Sequence, residues 1–421
     1  ELGNAGWSWQ EVLPYFLRSE DNAELGGPLH HRGGELSVCR LRHIHPLARK
    51  LLEAARAAGY PANEDFNGPT QEGFGFYQVT QRRGRRCSAA DAFLEPALQR
   101  PNLQLRTGAQ VQRILFKGRR AVGVEFRQGG RVVQVGARAE VVLCAGAFGS
   151  PQLLLLSGIG PGEQLREMGI EVVHPLPGVG RNLQDHLIVG VIMKARVPTL
   201  DDAERFPRVL GNLARFLLFG RGPLTSNVAE FGGFLKSSPT EPAPDLQYHG
   251  AAAYYENHGL NPPPGVRAYG LGVVVLNPDS RGTLSLSSPD PAAPPRIDPN
   301  YLAEERDWQR LLKGFRIAQD ICWSDSLKPF QGGAYFPEEK LEEESAMRAF
   351  IRQQAQTLYH PVGTCKMGTD DEAVVDPQLR VHGVQGLRIA DASIMPTLVR
   401  GNTNAPVIMI AEKAADLIRG G

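Results

Sequence analysis

The sequence predicts an α/β fold, α+β overall, in which one domain is assembled from discontinuous segments and a second domain with a largely antiparallel sheet is inserted between them. Helical and strand patterns alternate toward both ends of the chain, whereas the middle is rich in strands. Residues 140–145 form an almost continuous apolar run, which is typical of a parallel strand buried on both faces. A glycine-rich turn follows at Gly146 and leads into a helix.

Periodicity predicts the other elements in chain order. Helices are predicted where apolar residues recur every three or four positions, and strands where short apolar runs lie between glycines. The predicted helices are residues 46–59, 89–99, 209–219, 301–323, 346–355 and 405–418. The predicted strands are residues 103–107, 111–116, 121–127, 131–135, 140–145, 269–276, 282–287 and 386–390, of which 269–276 and 282–287 would belong to the antiparallel sheet.

Composition excludes several classes of protein. The 421 residues include 46 Lys and Arg against 45 Asp and Glu, so the basic excess of a nucleic-acid-binding protein is missing. No apolar run approaches the roughly 18 residues of a membrane span, so we expect no transmembrane segment. Five cysteines without a CxxC pair argue against a disulfide framework or a metal site and favour a reducing compartment. We expect a cytoplasmic protein, and leave a peripheral membrane association open.

The turn at residues 146–151 is the first candidate binding site. Its glycines let the backbone approach a ligand closely, and Ser150 as helix cap with Pro151 in the first turn would leave N–H groups free for an anion such as a nucleotide phosphate. The alternative is a plain turn that needs glycine for packing, because GxGxxG spacing is absent.

Two further segments carry residues suited to catalysis. His360 lies between Tyr359 and Pro361, which restrict its backbone, and an imidazole is the natural acid or base near neutral pH. An ordinary loop or core histidine is the alternative. Asn402 and its polar neighbours precede the last helix, where capping is the first explanation, and a spare asparagine would donate hydrogen bonds to an oxyanion or a cofactor carbonyl.

Taken together, these segments resemble the glucose–methanol–choline (GMC) flavoprotein oxidoreductases. The resemblance is carried, in the family's order, by GAFGSPQLLLLSGIG (146–160), GVGRNLQDH (178–186), DPNYL (298–302), YHPVGTCKMG (359–368), GLRIADASIMP (386–396) and GNTNAPVIMIAEKAAD (401–416). GPLTSNVAEFGGF (222–234) and PDLQYH (244–249) are most similar to bacterial choline-dehydrogenase-like alcohol dehydrogenases. The resemblance covers nearly the whole chain.

The resemblance implies an FAD enzyme that oxidises a primary or choline-like alcohol to the aldehyde by hydride transfer to flavin N5. His360 matches the catalytic base and Asn402 its partner at the substrate oxygen. Val111, Ala392, Asn402 and Thr403 match cofactor-binding positions. A dehydrogenase is favoured over an oxidase, with a quinone, a dye-like acceptor or oxygen as electron acceptor. The oligomeric state is not predicted.

The same resemblance divides the chain into two domains. Residues 1–35, 80–190 and 359–421 would form the FAD-binding domain, and residues 36–79 and 191–358 the substrate domain. The family's N-terminal βαβ unit with GxGxxG does not occur in this sequence, so we expect the recorded sequence to omit it. The alternatives are a cofactor-deficient, non-enzymatic remnant and a hydroxynitrile lyase on the same fold.

Glu230 is the candidate substrate residue. It follows the GPLTSN loop, and if it faces the active site its charge would pair with a cationic alcohol such as choline, with help from nearby aromatic rings. A solvent-exposed glutamate without a role is the alternative.

Overall fold

The structure is a computed structural model that describes residues 2–255 and 263–420. The α-helices are α1 (Trp9–Ser19), α2 (Pro46–Ala57), α3 (Glu95–Ala97), α4 (Gly146–Leu156), α5 (Gly162–Glu167), α6 (Arg208–Phe219), α7 (Glu305–Cys322), α8 (Glu344–Gln354) and α9 (Asn404–Arg419). The strands are β1 (Glu20–Asn22), β2 (Leu36–Arg40), β3 (Gly73–Phe76), β4 (Gln78–Val79), β5 (Gln81–Arg82), β6 (Arg85–Arg86), β7 (Ala109–Lys117), β8 (Arg120–Gln128), β9 (Arg131–Gly136), β10 (Val141–Leu143), β11 (Ile159–Gly160), β12 (His174–Pro175), β13 (Leu187–Ala195), β14 (Phe231–Leu235), β15 (Leu246–Ala251), β16 (Ala268–Val275), β17 (Thr283–Ser285), β18 (Arg296–Asp298), β19 (Gln331–Phe336), β20 (Gln356–Thr357) and β21 (Leu387–Ile389).

A seven-stranded antiparallel sheet forms the larger half of the fold. Its strand order is β19-β13-β16-β15-β14-β3, and β20 pairs with the start of β13. Helices α2, α7 and α8 cover one face of this sheet, where their apolar stripes meet alternate strand residues in the first core. Fully buried members of this core include Leu51, Phe74, Tyr248, Val273 and Phe315. The predicted antiparallel sheet is thereby confirmed.

A second core joins the remaining segments. Strands β10 and β21 pair in parallel, α4 packs against β7 of the three-stranded β7-β8-β9 sheet, and α1 packs against α9. Buried members of this core include Leu154, Leu165, Val374, Ile389 and Ile394. Segments that precede and follow the antiparallel sheet along the chain therefore share one core. The division into an FAD-binding and a substrate domain remains a prediction.

Most predicted helices occur within a few residues of their expected bounds, but residues 89–99 differ. They form a π-type turn at Ala90–Leu94 followed by the short helix α3. Residues 103–107 form no strand, and Leu103 and Leu105 are exposed there. Without a partner surface to bury them, an apolar pattern alone does not produce a strand.

Two predicted strands differ from expectation, one in its burial and the other in its pairing partner. The run at 140–145 does pair in parallel, but β10 is flanked only by β21 among the described residues, so Val141 and Val142 are half-buried and Cys144 is exposed. The segment 282–287 is not part of the antiparallel sheet. Strand β17 pairs with β18 instead, because the N–H of Leu284 donates to the carbonyl oxygen of Gly180 and its side chain packs in the second core.

Among residues 2–255 and 263–420, none of the helices combines the length and the apolar character that a bilayer span requires.

Gly314 in α7 provides a test of core packing. A Cβ at this position would lie 2.5 Å from Cγ2 of Val273 and 3.2 Å from Cδ2 of Leu246, both in the first core. Because such a contact forces buried side chains to shift, we expect Gly314→Ala to lower the free energy of unfolding by about 1–3 kcal/mol in urea denaturation. Gly211→Ala in α6 is the control, since no heavy atom lies within 4 Å of the added Cβ. It should be neutral or stabilise by up to about 1 kcal/mol, and equal losses in both variants would contradict the packing argument.

Candidate active site

His360 lies on a tight loop that is held against the start of β13. Leu358 donates its N–H to the carbonyl oxygen of His186 at 2.9 Å, and Gln184 and Val362 exchange two backbone hydrogen bonds at 3.1 and 2.9 Å. Between these anchors Tyr359 adopts a left-handed conformation with φ of +63°, which is unfavourable for a residue with a Cβ. The restricted backbone expected for His360 is therefore present.

The carboxylate of Asp185 fixes this loop. Its Oδ1 accepts the backbone N–H groups of His186 at 2.9 Å and His360 at 2.8 Å. Its Oδ2 accepts the hydroxyl groups of Tyr301 and Thr357. Four donors from different parts of the chain thus converge on one buried side chain, and the position of His360 depends on it.

A chain of hydrogen bonds sets the tautomers of the two histidines. Nε2 of His186 lies 3.2 Å from the carbonyl oxygen of Leu276, which can only accept, so Nε2 carries the proton and Nδ1 is an acceptor. Nδ1 of His360 lies 2.8 Å from that Nδ1 and must donate to it. The remaining nitrogen of His360, Nε2, therefore carries no proton and can accept one.

Asn402 presents a donor beside that nitrogen. Its Nδ2 lies 3.4 Å from Nε2 of His360, and its Oδ1 accepts from Nε2 of Gln247 at 3.0 Å. The bond from Gln247 orients the amide, because it leaves the NH₂ group to point toward His360. Asn402 is exposed and His360 is half-buried, so an acceptor and a donor lie side by side at an open surface. The structure brings the two predicted catalytic residues together.

Burial makes this cluster of histidines neutral. Burial, followed by the neighbouring His360, lowers the pKa of His186 to about 3 and that of His249 to about 4. Burial also lowers the pKa of His360, although the Asp185 carboxylate partly opposes it. Near pH 7 all three imidazoles are therefore uncharged, and Nε2 of His360 is available to take up a proton.

A cavity lies next to the start of α9. It has a volume of about 720 Å³, within the roughly 300–1,000 Å³ of ligand pockets. Its lining comes from residues 2–11, residues 394–399 and the first turns of α9. Asn4 contributes a buried Oδ1 with no hydrogen-bond partner among the described residues. A large cavity, an unpaired acceptor and the positive end of a 16-residue helix fit an extended polar cofactor.

The predicted cofactor residues fall in two places. Thr403 occupies the N-cap position of α9 as the capping interpretation expects, but its side chain makes no capping bond, and Asn402 bonds Gln247 and His360 instead. Ala392 begins a 3₁₀ turn, where its carbonyl oxygen accepts the N–H of Gly363 on the His360 loop. Val111 lies in β7, which packs against α4. Their role in binding a cofactor remains a prediction.

The glycine-rich turn at Gly146 differs from expectation. Helix α4 begins at Gly146, so Ser150 and Pro151 lie inside the helix and Ser150 is not its cap. The carboxylate of Asp391 accepts the N–H of Gly146 at 3.0 Å and the hydroxyl of the fully buried Ser150. Because an acidic side chain already occupies this helix end, the proposed anion site for a nucleotide phosphate is wrong.

Glu230 is buried, which excludes the solvent-exposed alternative. Its carboxylate accepts the backbone N–H of His45 at 2.7 Å and the hydroxyl of Ser226 at 2.7 Å. Burial raises its pKa, and no Lys, Arg or His of the described residues forms an ion pair with it. Arg49 is near enough to oppose that rise in pKa but forms no direct ion pair, so the buried carboxylate has no cation in contact with it in the described part of the chain. Its participation in substrate binding remains a prediction.

Sequence reasoning missed several residues of this site. His186, Asp185, His249 and Gln247 all contribute, and each is carried by β15 or by the segment that enters β13. Two signals were available, since Asp185 and His186 end the GVGRNLQDH segment and His249 ends PDLQYH. Only the sheet register shows that these residues lie near His360.

The paired acceptor and donor at His360 and Asn402 suit a small polar molecule, and the cavity beside α9 suits a larger one. Comparison with known proteins identifies the family. The chain matches the two GMC oxidoreductase family models over residues 1–188 and 278–411, and it belongs to the GMC oxidoreductase family. It is accordingly an oxidoreductase, as the sequence predicted.

Individual relatives agree with this assignment. The chain is 43% identical to an alcohol dehydrogenase [acceptor] of Pseudomonas putida over 99% of its length and 76% of that protein. It is 43% identical to the mitochondrial choline dehydrogenase of Mus musculus over 99% of its length and 70% of that protein. It also resembles a structure of Aspergillus oryzae RIB40 formate oxidase studied for FAD modification, with a TM-score of 0.92 and 26% identity over 100% of this chain and 79% of that one.

The buried imidazole of His249 predicts a pH dependence of stability. The folded protein protonates it only near pH 4, whereas the unfolded chain does so near pH 6.5, so the unfolded state binds more protons between these values. The free energy of unfolding therefore falls as the pH drops from 6.5 to 4, and His249 contributes up to about 1.4 kcal/mol per pH unit. In urea denaturation at several pH values, His249→Gln should show a slope shallower by that amount.

The range above pH 7 provides the control for this comparison. There His249 is neutral in both states, so the two proteins should show the same pH dependence. Parallel curves throughout the acid range would mean that the imidazole is not held neutral by the fold.

Proposed function

We propose that this chain carries out the FAD-dependent oxidation of an alcohol, with His360 as the base. The observation that carries the proposal is the lone pair on Nε2 of His360 beside the N–H donor of Asn402, 3.4 Å apart. A hydroxyl group is both a donor and an acceptor, so it fits this pair in one orientation. Its proton faces Nε2 of His360 and its oxygen accepts from Nδ2 of Asn402.

The neighbouring residues account for proton transfer to Nε2. The bond from His360 Nδ1 to His186 keeps the imidazole in the tautomer that accepts at Nε2. The Asp185 carboxylate, bonded to the backbone N–H of His360, favours the positive charge that develops on the ring as the proton arrives. Asn402, oriented by Gln247, stabilises the negative charge on the substrate oxygen.

FAD fits the residues at the start of α9. The cavity, the helix N-terminus and the unpaired Asn4 carbonyl support binding there. Ala392, Asn402, Thr403 and Val111, which do not line the cavity, are the positions that the family resemblance assigns to FAD. When bound, FAD supplies the acceptor for the hydride that leaves the carbinol carbon. The formate oxidase structure, described for FAD modification, supports the same cofactor.

The relatives support a dehydrogenase rather than an oxidase. An alcohol dehydrogenase [acceptor] and a choline dehydrogenase are both 43% identical to this chain over nearly its whole length. We therefore propose a primary or choline-like alcohol as the substrate and a quinone or dye-like electron acceptor. Turnover that is fast with oxygen and absent with a dye acceptor would contradict the dehydrogenase assignment.

The five cysteines are free thiols, which supports the cytoplasmic location expected from the sequence.

Substitution of the catalytic pair tests the mechanism. His360→Ala should slow flavin reduction by about 10²- to 10⁴-fold, because a positioned base is lost, and should leave FAD bound. Asn402→Ala should slow it by about 10²- to 10³-fold and should also lower the FAD content, because this residue precedes α9. Anaerobic stopped-flow reduction by a primary alcohol and the flavin absorption spectrum provide the two readouts.

The control for the catalytic pair is His31→Ala, which alters an exposed histidine in the loop between β1 and β2. It should reduce flavin at the wild-type rate. If His360→Ala also does so with full flavin content, His360 is not the base. A flavin that stays oxidised with every alcohol, in the wild-type protein, would favour the lyase alternative.

Buried Glu230 supports a cationic substrate as the finer proposal. Its carboxylate has two hydrogen bonds but no ion pair among the described residues, so an ammonium group would supply the missing charge partner. We expect Glu230→Gln to weaken the apparent affinity for choline about tenfold, because the charge is lost while the shape is kept. The affinity for a neutral primary alcohol, measured on the same variant, should not change. An equal loss for both alcohols would assign Glu230 a structural role.

A further inference from the structure

Helix α6 has its apolar side turned outward. Leucines recur at helical spacing in this helix, at i, i+3, i+7 and i+8, which is the pattern of a helix face that packs on a core. Here these residues form an exposed group that we call the apolar stripe, together with Phe206, which precedes the helix, and Phe219, its last residue. Its members, between 43% and 79% exposed, are Phe206, Leu210, Leu213, Leu217, Leu218 and Phe219. None of the residues of α6 is buried.

The other side of α6 faces the protein. Val209, Asn212 and Phe216 are half-buried, and Nδ2 of Asn212 donates to the carbonyl oxygen of Ala203 at 2.8 Å. The helix is therefore attached through Val209, Asn212 and Phe216, two of which are apolar, while its leucines stay exposed. An ordinary surface helix buries such leucines.

Arginines gather at the C-terminal end of α6, and we call this group the basic rim. The β5–β6 hairpin, QRRGRR, touches the end of α6, because a Cβ at Gly84 would lie 2.6 Å from the carbonyl oxygen of Gly220. Arg42 donates to the same oxygen at 3.2 Å, and the guanidinium of Arg85 lies 5.9 Å from the ring centre of Phe216. The exposed members of the rim are Arg42, Arg82, Arg83, Arg85, Arg86, Arg215 and Arg221.

The acidic groups of this region do not offset the basic rim. Residues 200–229 contain three acids, and two of them are directed inward. Asp201 accepts the N–H groups of Tyr254 and Ala268, and Asp202 is buried in ion pairs with arginines that include Arg267. Only Glu204 is exposed. The segment that carries α6 therefore adds one exposed acid against the exposed arginines of the basic rim.

From the stripe and the rim together, we propose that this face docks on an anionic phospholipid bilayer. Leucine and phenylalanine side chains at helical spacing enter the boundary between headgroups and acyl chains, while the arginines contact lipid phosphates. The helix lies in the plane of the membrane surface and does not cross it. A lipid surface is the partner whose chemistry matches both features at once, because nucleic acid offers nothing to the leucines.

A second copy of this chain fits the same face poorly. Two copies related by a twofold axis would bring both basic rims into one interface, since such an interface uses the same patch on both partners. Like charges in contact disfavour association, whereas an anionic surface attracts the same residues. The charge pattern thus favours a membrane over self-association.

Vesicle co-sedimentation tests the proposal with the protein as isolated. We expect binding to vesicles that contain phosphatidylglycerol to be about tenfold or more tighter than to pure phosphatidylcholine, and to weaken as salt is added. In Leu218→Trp, the fluorescence of the new indole should shift to shorter wavelength on anionic vesicles, since the ring leaves water. Both readouts are made without substrate, so they are independent of the proposed enzyme activity.

Two variants separate the contributions of the stripe and the rim. Leu217→Glu with Leu218→Glu should weaken binding to anionic vesicles by more than about tenfold, because charge replaces the inserted side chains. Arg83→Gln, Arg85→Gln and Arg86→Gln together should weaken it roughly tenfold or more and reduce its salt dependence. The second set does not alter α6, so it stays informative if the leucine variant misfolds.

The β8–β9 hairpin supplies matched controls. Val132→Glu introduces a charge at an exposed valine of β9, and Arg127→Gln with Arg131→Gln removes two exposed arginines. Neither should alter vesicle binding. The proposal is overturned if the wild-type protein binds neutral and anionic vesicles alike or not at all. It is also overturned if the leucine variant converts a dimer to a monomer in sedimentation without affecting vesicle binding.

Discussion

Four hydrogen bonds converge on the carboxylate of Asp185, and the geometry of the site depends on them. They join the entry to β13, the loop of His360, and the residues Tyr301 and Thr357. A backbone N–H that loses such a partner in a buried place costs about 1–3 kcal/mol, so the loop has one strongly favoured position. That position supports the left-handed conformation of Tyr359 and directs His360 toward Asn402.

The chemistry of the site follows from neutral imidazoles rather than from charge. Burial keeps His186 and His249 unprotonated, and His186 in turn fixes which nitrogen of His360 carries a proton. A histidine nitrogen that can accept a proton beside an amide donor suits a hydroxyl group. The same burial disfavours the folded state in acid, because the unfolded chain takes up protons that the folded chain does not. Proton acceptance near pH 7 and sensitivity to acid thus share one cause.

The parts of the site that depend on neighbouring residues in the chain could be predicted from the sequence. The YHP segment restricts the backbone of His360, and the polar residues before the last helix place Asn402 at its start. Contacts between residues that are far apart in the sequence could not be predicted. Ser150 was expected to cap a helix, but Asp391, 241 residues further along the chain, accepts its hydroxyl instead. His249 lies near His360 only because β15 pairs with β16 in one register.

Helix α6 shows a second property that sequence patterns do not predict, namely which side of a helix faces the protein. Its leucine spacing predicts an amphipathic helix, and the structure has one at almost the expected bounds, Arg208–Phe219. Periodicity shows that a helix has an apolar side, but not whether that side faces the protein or its surroundings. The decisive facts are tertiary, namely the half-burial of Phe216 and the approach of the β5–β6 hairpin at Gly84. Because the hairpin brings its arginines to the C-terminal end of α6, hydrophobic and electrostatic attraction favour the same partner.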